Sequence, residues 1–108
     1  QEGEKAIVDA LQVLIQHLNG AGLKAMEGRK LKEGSDAVNM LQQRMARDAI
    51  GAGIVEQLTQ LAEACRAFNF AMALHVHTQL STSEWADHKD WLKGLKFLLQ
   101  LGQSKLHG

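Results

Sequence analysis

The sequence predicts an all-α fold, a compact bundle of five helices with short connections. Three observations lead to this prediction. Proline is absent, apolar residues recur at spacings of three and four, and strict polar–apolar alternation is not sustained anywhere. Each expected helix is too short to be stable alone, so antiparallel packing of neighbours in one domain, residues 1–108, is the natural arrangement.

The first helix is expected over residues 4–18. Asn19-Gly20 tolerates left-handed backbone geometry and should end the helix. Residues 21–30 contain two more glycines and mixed charge, so we expect them to form a connection. The apolar stripe that faces the core is Ile7, Leu11, Leu14 and Leu18.

The second and third helices are expected over residues 31–47 and 54–67. Gly34 should weaken the second helix by about 1 kcal/mol relative to alanine. The Gly51-Ala52-Gly53 run marks the break between the two helices. Their inward residues are predicted to be Leu31, Val38, Leu41 and Met45 in one and Ile54, Leu58, Leu61 and Cys65 in the other.

The fourth and fifth helices are separated by the most explicit start signal in the chain. Asn69 is a suitable N-cap for a helix that ends at Leu80. Ser81 and Glu84 then have the spacing of a capping box, which predicts a new helix that ends near Gly102. Its inward face should contain Trp91, Leu92, Leu95, Leu98 and Leu99.

Composition argues against several kinds of function. Lysine plus arginine and aspartate plus glutamate both number 12, so no surplus positive charge is available for nucleic acid or an acidic membrane. The single cysteine, Cys65, cannot form an internal disulfide. No apolar run approaches the roughly 18 residues that span a bilayer. These features are typical of a cytosolic domain with no direct contact to membrane or nucleic acid.

Side chains with catalytic or metal-binding chemistry have simpler structural interpretations. His75 and His77 are two apart on a helix and point away from each other, so they cannot share one ion. We expect His77 to be partly buried with one hydrogen bond. Cys65 continues an apolar stripe and should pack as a small hydrophobic residue. No catalytic, cofactor-binding or metal-binding residue is therefore predicted, and the chain is not expected to be an enzyme.

The hydroxyl, imidazole and carboxylate groups of Ser81, Ser83, Asp87 and His88 do not form a triad. Adjacent residues on a helix diverge, and the serines are better suited to helix capping. No small-molecule substrate is expected.

Aromatic residues near the carboxyl end give the surface prediction. Trp85 and Trp91 flank the inward stripe, so both should pack in the core. Phe97 projects nearly opposite that stripe, with Leu101 beside it. Two interpretations are open: Phe97 and Leu101 form a partner-binding patch, or a neighbouring helix covers them.

Four stretches resemble a known family. Residues 55–64 read VEQLTQLAEA, residues 69–74 NFAMAL, residues 80–85 LSTSEW and residues 91–96 WLKGLK. Together they resemble the carboxyl-terminal helical domain of the outer-coat scaffold subunit of COPII vesicles, a domain family that includes the steroid receptor RNA activator protein. The matching residues on the inward stripes, expected to be packing residues, are Phe70, Ala73, Leu74, Trp85, Trp91, Leu92 and Leu95.

The resemblance implies a helical bundle at the end of a cytosolic scaffold. Such a domain would contact other outer-coat subunits at endoplasmic reticulum exit sites and on COPII vesicles, and would reach the membrane only through the coat. It implies no cofactor. The abrupt polar start, Gln1-Glu2-Gly3, is typical of a cut edge, so we expect the carboxyl-terminal fragment of a longer scaffold protein.

The other named member of this domain family, the steroid receptor RNA activator protein, leaves an alternative function open. A helical domain of a steroid receptor RNA activator-like regulatory protein would have the same bundle, so the fold alone cannot separate the two. The Ser83-Glu84-Trp85 run favours the coat interpretation.

Overall fold

The computed structural model describes residues 2–106 and contains four α-helices with no strand in that range. They are α1 (Glu2–Asn19), α2 (Ala25–Ala46), α3 (Ala52–Arg66) and α4 (Phe70–Lys105). The all-α class is confirmed. The predicted count of five helices is wrong, because the chain stays helical through the expected fifth start at Ser81.

The second helix begins six residues earlier than predicted, inside the expected connection. Glu27 explains the early start, since its Oε1 accepts a 2.9 Å hydrogen bond from the backbone amide of Lys24, the N-cap residue. This bond satisfies a backbone donor that would otherwise lack a partner at the helix start. Glu27 also pairs with Lys105 Nζ at 3.1 Å, which ties this start to the end of α4.

Helix α4 turns back on itself. A straight helix of its 36 residues would be about 54 Å long, whereas the longest dimension of the molecule is 36 Å. Two contacts show the reversal: the Phe70 ring lies against Gly102, and His77 Nε2 lies 2.7 Å from the carbonyl oxygen of Leu92. We therefore divide α4 into a first arm (residues 70–80), a bend (residues 81–87) and a second arm (residues 88–105).

Hydroxyl side chains at the bend bond back into the helix. Thr82 Oγ1 donates to the carbonyl oxygen of Thr78 at 2.9 Å, and Ser83 Oγ donates to that of Gln79 at 3.3 Å. Such bonds to the residue four positions earlier compete with the backbone ladder and bend helices. Ser81 and Ser83 therefore act within a continuing helix, so the capping box predicted there is wrong.

The two arms of α4 form the centre of the bundle. Helix α4 contacts all three other helices and packs most extensively against α2. No helix in residues 2–106 is both long and apolar enough to cross a membrane. The largest fully buried side chains are Ile7, Leu11, Leu18, Leu41, Leu58, Leu61, Leu80, Trp91, Leu92, Leu95, Leu98 and Leu99.

Candidate functional site

Five of the seven family-motif residues that were expected to pack lie in the core. Leu74 is half-buried and packs against the core, whereas Trp85 is 44% exposed. The packing expectation is wrong for Trp85 because this residue lies in the bend, where no side chain is buried. The fully buried members are Phe70, Ala73, Trp91, Leu92 and Leu95.

The two residues predicted as a partner contact on α4, Phe97 and Leu101, differ in exposure. Leu101 is only 5% exposed, because the second arm is covered on more than one face. Neighbouring helices therefore cover Leu101, which was one of the two predicted interpretations. The other, an exposed partner contact at Leu101, is wrong. Phe97 is half-buried, with Lys30 Nζ 5.6 Å from its ring centre. A partner contact at Phe97 stays a prediction.

His77 joins the two arms of α4. The ring is 2% exposed, and its Nε2 lies 2.7 Å from the Leu92 carbonyl oxygen. Because a carbonyl only accepts, Nε2 is the nitrogen that donates. Nδ1 lies 3.3 Å from Ser81 Oγ. His75, by contrast, is exposed and lies beside Gln79. His77 thus has a structural role between the arms.

The free energy of unfolding should fall on acidification because of His77. Burial lowers the pKa of His77 below 6.5, the Leu92 bond opposes this shift, and Lys96 adds to it. The unfolded chain therefore binds the proton first as the pH falls. The free energy of unfolding is retained above about pH 6.5, the pKa of histidine in the unfolded chain. Below that pH it declines by at most about 1.4 kcal/mol per pH unit, and the decline ends at the pKa of His77 in the folded state.

The measurement is urea denaturation at several pH values between neutral and mildly acidic. His77→Gln keeps a side-chain donor towards Leu92 but cannot take up a proton. Its unfolding free energy should therefore depend less on pH than that of the wild type. Identical pH profiles for the two proteins would contradict this assignment to His77.

A second polar cluster joins α2 to the second arm. Trp91 Nε1 donates to His88 Nδ1 at 3.1 Å, and Arg44 Nη1 lies 3.4 Å from the same nitrogen. Since tryptophan and arginine can only donate, His88 Nδ1 is the acceptor and the neutral ring carries its proton on Nε2. Arg44 also pairs with Asp90 and donates to the carbonyl oxygen of Asp87 at 3.3 Å. Asp87 and His88 thus contribute to helix packing.

Cys65 is a poor nucleophile. It is buried on α3, and this burial raises the pKa of its thiol to about 12. The thiolate is the reactive form of cysteine, so the thiol is protonated and unreactive near neutral pH. This agrees with the interpretation of Cys65 as a small packing residue.

The connection between α3 and α4 places an aromatic ring on the surface. Phe68 has a positive φ of 55°, a backbone conformation that favours glycine. Its amide donates to the carbonyl oxygen of Cys65 at 3.0 Å, and the amide of Asn69 donates to that of Ala64 at 2.8 Å. These two bonds form a Schellman motif. A bulky residue in this conformation is strained, which is a feature of functional sites.

The Phe68 ring is held in place by two neighbouring rings. Its centre lies 5.7 Å from that of His17 on α1 and 6.1 Å from that of Phe70, both in edge-to-face contacts. The ring nevertheless remains 40% exposed, and Val13 on α1 is 48% exposed. Fixed geometry and exposed apolar area together are typical of a binding surface.

A cavity of about 180 Å³ opens beside this ring, between α1 and the end of α3. We call Val13, His17, Arg66 and Phe68, which surround it, the Phe68 surface. Sequence reasoning ended the third helix at residue 67 and placed the next N-cap at Asn69, but it missed this surface. The available signal was an aromatic residue at a helix end that normally contains glycine. Besides Phe68, the cavity is lined by Ala10, Val13, Leu14, His17, Cys65 and Arg66.

Comparison with known proteins shows a similarity to a transport protein. The chain is 28% identical over 82 residues to protein transport protein SEC31 homolog B of Arabidopsis thaliana. The aligned stretch covers 76% of this chain but only 7% of that relative, so the chain spans a small part of the relative's length. No protein-family model and no solved structure matches the chain.

Proposed function

We propose that this chain is a non-catalytic protein-interaction domain of a COPII outer-coat scaffold, and that it contributes to coat assembly in transport from the endoplasmic reticulum to the Golgi. The observation that carries the proposal is the 82-residue similarity to a protein transport protein, the SEC31 homolog. The motif resemblance in residues 55–96 supports it.

The local chemistry supports an interaction role over catalysis. The ring of His77 bonds between the two arms of α4, the ring of His88 contacts Arg44 of α2, and burial raises the pKa of the Cys65 thiol to about 12. The side chains best suited to reaction chemistry are therefore engaged in packing. The Phe68 surface, in contrast, offers exposed apolar area to a partner.

In this proposal the partners are other outer-coat subunits. The domain acts in the cytoplasm, at endoplasmic reticulum exit sites and on COPII vesicles, and reaches the membrane only through the coat. The chain has a net charge of zero, which is consistent with recognition through apolar contacts in place of a general electrostatic attraction to phosphates.

The purified chain should bind reconstituted COPII outer-coat units saturably, in the micromolar range typical of a transient interface, when followed by calorimetry. Affinity should increase on assembled cages, where many sites are presented together. Phe97→Asp tests the contact predicted on α4 and should weaken binding. Helical circular dichroism establishes that the variant is folded.

Absence of saturable binding to both free units and assembled cages would contradict the coat assignment. Equal binding by wild type and Phe97→Asp would retain the assignment and remove Phe97 from the interface.

A further inference from the structure

We propose that the Phe68 surface binds an apolar side chain from an acidic segment of a partner protein. This inference deepens the proposed function: it rests on the role as an interaction domain and specifies the chemistry of the partner. The cavity beside the Phe68 ring has apolar walls, contributed by Ala10, Val13 and Leu14 of α1. Such walls are suited to an apolar anchor residue.

The strained backbone conformation at Phe68 indicates that the exposed ring serves in binding. The same Schellman pattern ends α2, where Asp48 occupies the equivalent position with a φ of 56°. Aspartate tolerates this conformation better than most residues, whereas a bulky aromatic residue does not. At Phe68 the strained conformation presents a ring that His17 and Phe70 hold in one orientation. A preorganised ring binds with little loss of conformational entropy.

The charges around the cavity select an acidic partner. Its lining includes two basic side chains, His17 and Arg66, and no carboxylate. Arg66 Nη2 donates to the carbonyl oxygen of Ala6 at 3.0 Å, which fixes the guanidinium near the rim. A guanidinium has five N–H donors, so others remain for a ligand. Within residues 2–106, Arg66 forms no salt bridge with a carboxylate. This holds although the exposed Glu63 lies one helical turn earlier on α3.

Two synthetic peptides provide the test. Both have a central phenylalanine; one is flanked on each side by two aspartates and the other by two lysines. Amide resonances of the ¹⁵N-labelled chain are followed during titration. The aspartate peptide should shift the resonances of Val13, His17 and Phe68 and bind at least about fivefold more tightly than the lysine peptide. Equal affinities, shifts confined to other residues, or no shifts up to millimolar peptide would overturn the proposal.

Three variants assign the effect to this surface. Phe68→Asn removes the ring, suits the left-handed backbone, and should weaken the aspartate peptide about tenfold. Arg66→Glu should reverse the preference between the two peptides. Trp85→Ala, which removes an aromatic residue of similar exposure at the bend of α4, should change neither affinity. Wild-type binding by Phe68→Asn, in a variant with a wild-type spectrum elsewhere, would overturn the proposal.

The peptide test contains no coat component, so its outcome is separate from that of the coat titration. Coat binding without peptide binding overturns this inference and leaves the proposed function intact. Peptide binding without coat binding supports the Phe68 surface and contradicts the coat assignment.

Discussion

Replacing Gly94 by alanine is expected to lower the free energy of unfolding by about 2 kcal/mol. Gly94 lies on the second arm of α4, where a Cβ atom would be 2.6 Å from Ala37 Cβ and 2.6 Å from the backbone oxygen of Glu33. Both atoms belong to α2, and a backbone oxygen cannot move aside as a flexible side chain can. The two helices would have to separate, which disturbs the most extensive packing in the bundle.

This loss should exceed the gain from helix propensity. Alanine is better than glycine in a helix interior by about 1 kcal/mol, and Gly28→Ala isolates that gain. Gly28 lies near the start of α2, and a Cβ atom there would meet nothing within 4 Å. Urea denaturation should show a stabilised Gly28→Ala variant and a destabilised Gly94→Ala variant. If both substitutions stabilised the protein, the close contact at Gly94 would be contradicted.

The same helix pair shows what sequence patterns can and cannot reveal. The spacing of apolar residues predicted that Leu31, Val38, Leu41 and Met45 face inward, and all four are buried. Gly34 was interpreted only as a weak point in the helix. In the structure a Cβ atom on Gly34 would lie 2.4 Å from the Leu98 side chain. Propensity describes an isolated helix, whereas the need for glycine comes from the partner helix, which one sequence does not identify.

The two misplaced helix starts have local causes. Lys24 has no side-chain acceptor for capping, so the pattern before α2 did not indicate a start, yet Glu27 supplies the bond. Ser81 and Glu84 do have capping spacing, but the hydroxyls of the bend bond back into α4. The sequence did predict that the chain reverses near Ser81, because the fourth and fifth helices were expected to pack antiparallel.

The candidate surface was the least predictable feature. Helical periodicity locates the face of a residue relative to its own helix, and it placed Phe97 and Leu101 away from the main stripe. The second arm is covered on more than one face, so Leu101 is buried despite that position. Phe68 lies outside any helix, where periodicity has no meaning. Its exposure follows from a backbone conformation that sequence reasoning did not assign.

Trp91→Ala is expected to be the most damaging single substitution, with a loss of about 3–5 kcal/mol. The indole is only 1% exposed, and its Nε1 donates to His88 Nδ1 at 3.1 Å. The substitution leaves a large cavity and removes a hydrogen-bond donor from the buried His88. Small domains have a total stability of about 5–15 kcal/mol, so the variant should be partly unfolded or close to it. Urea denaturation followed by circular dichroism measures the loss.

Trp85→Ala is the matched control, because the chain contains two tryptophans and this one is 44% exposed at the bend. Surface substitutions usually change stability by within about 0.5 kcal/mol. Trp91→Phe keeps an aromatic ring but lacks the indole N–H, so its loss should fall between the two alanine variants. Comparable losses for Trp85→Ala and Trp91→Ala would contradict the assignment of Trp91 to the core and Trp85 to the surface of the bend.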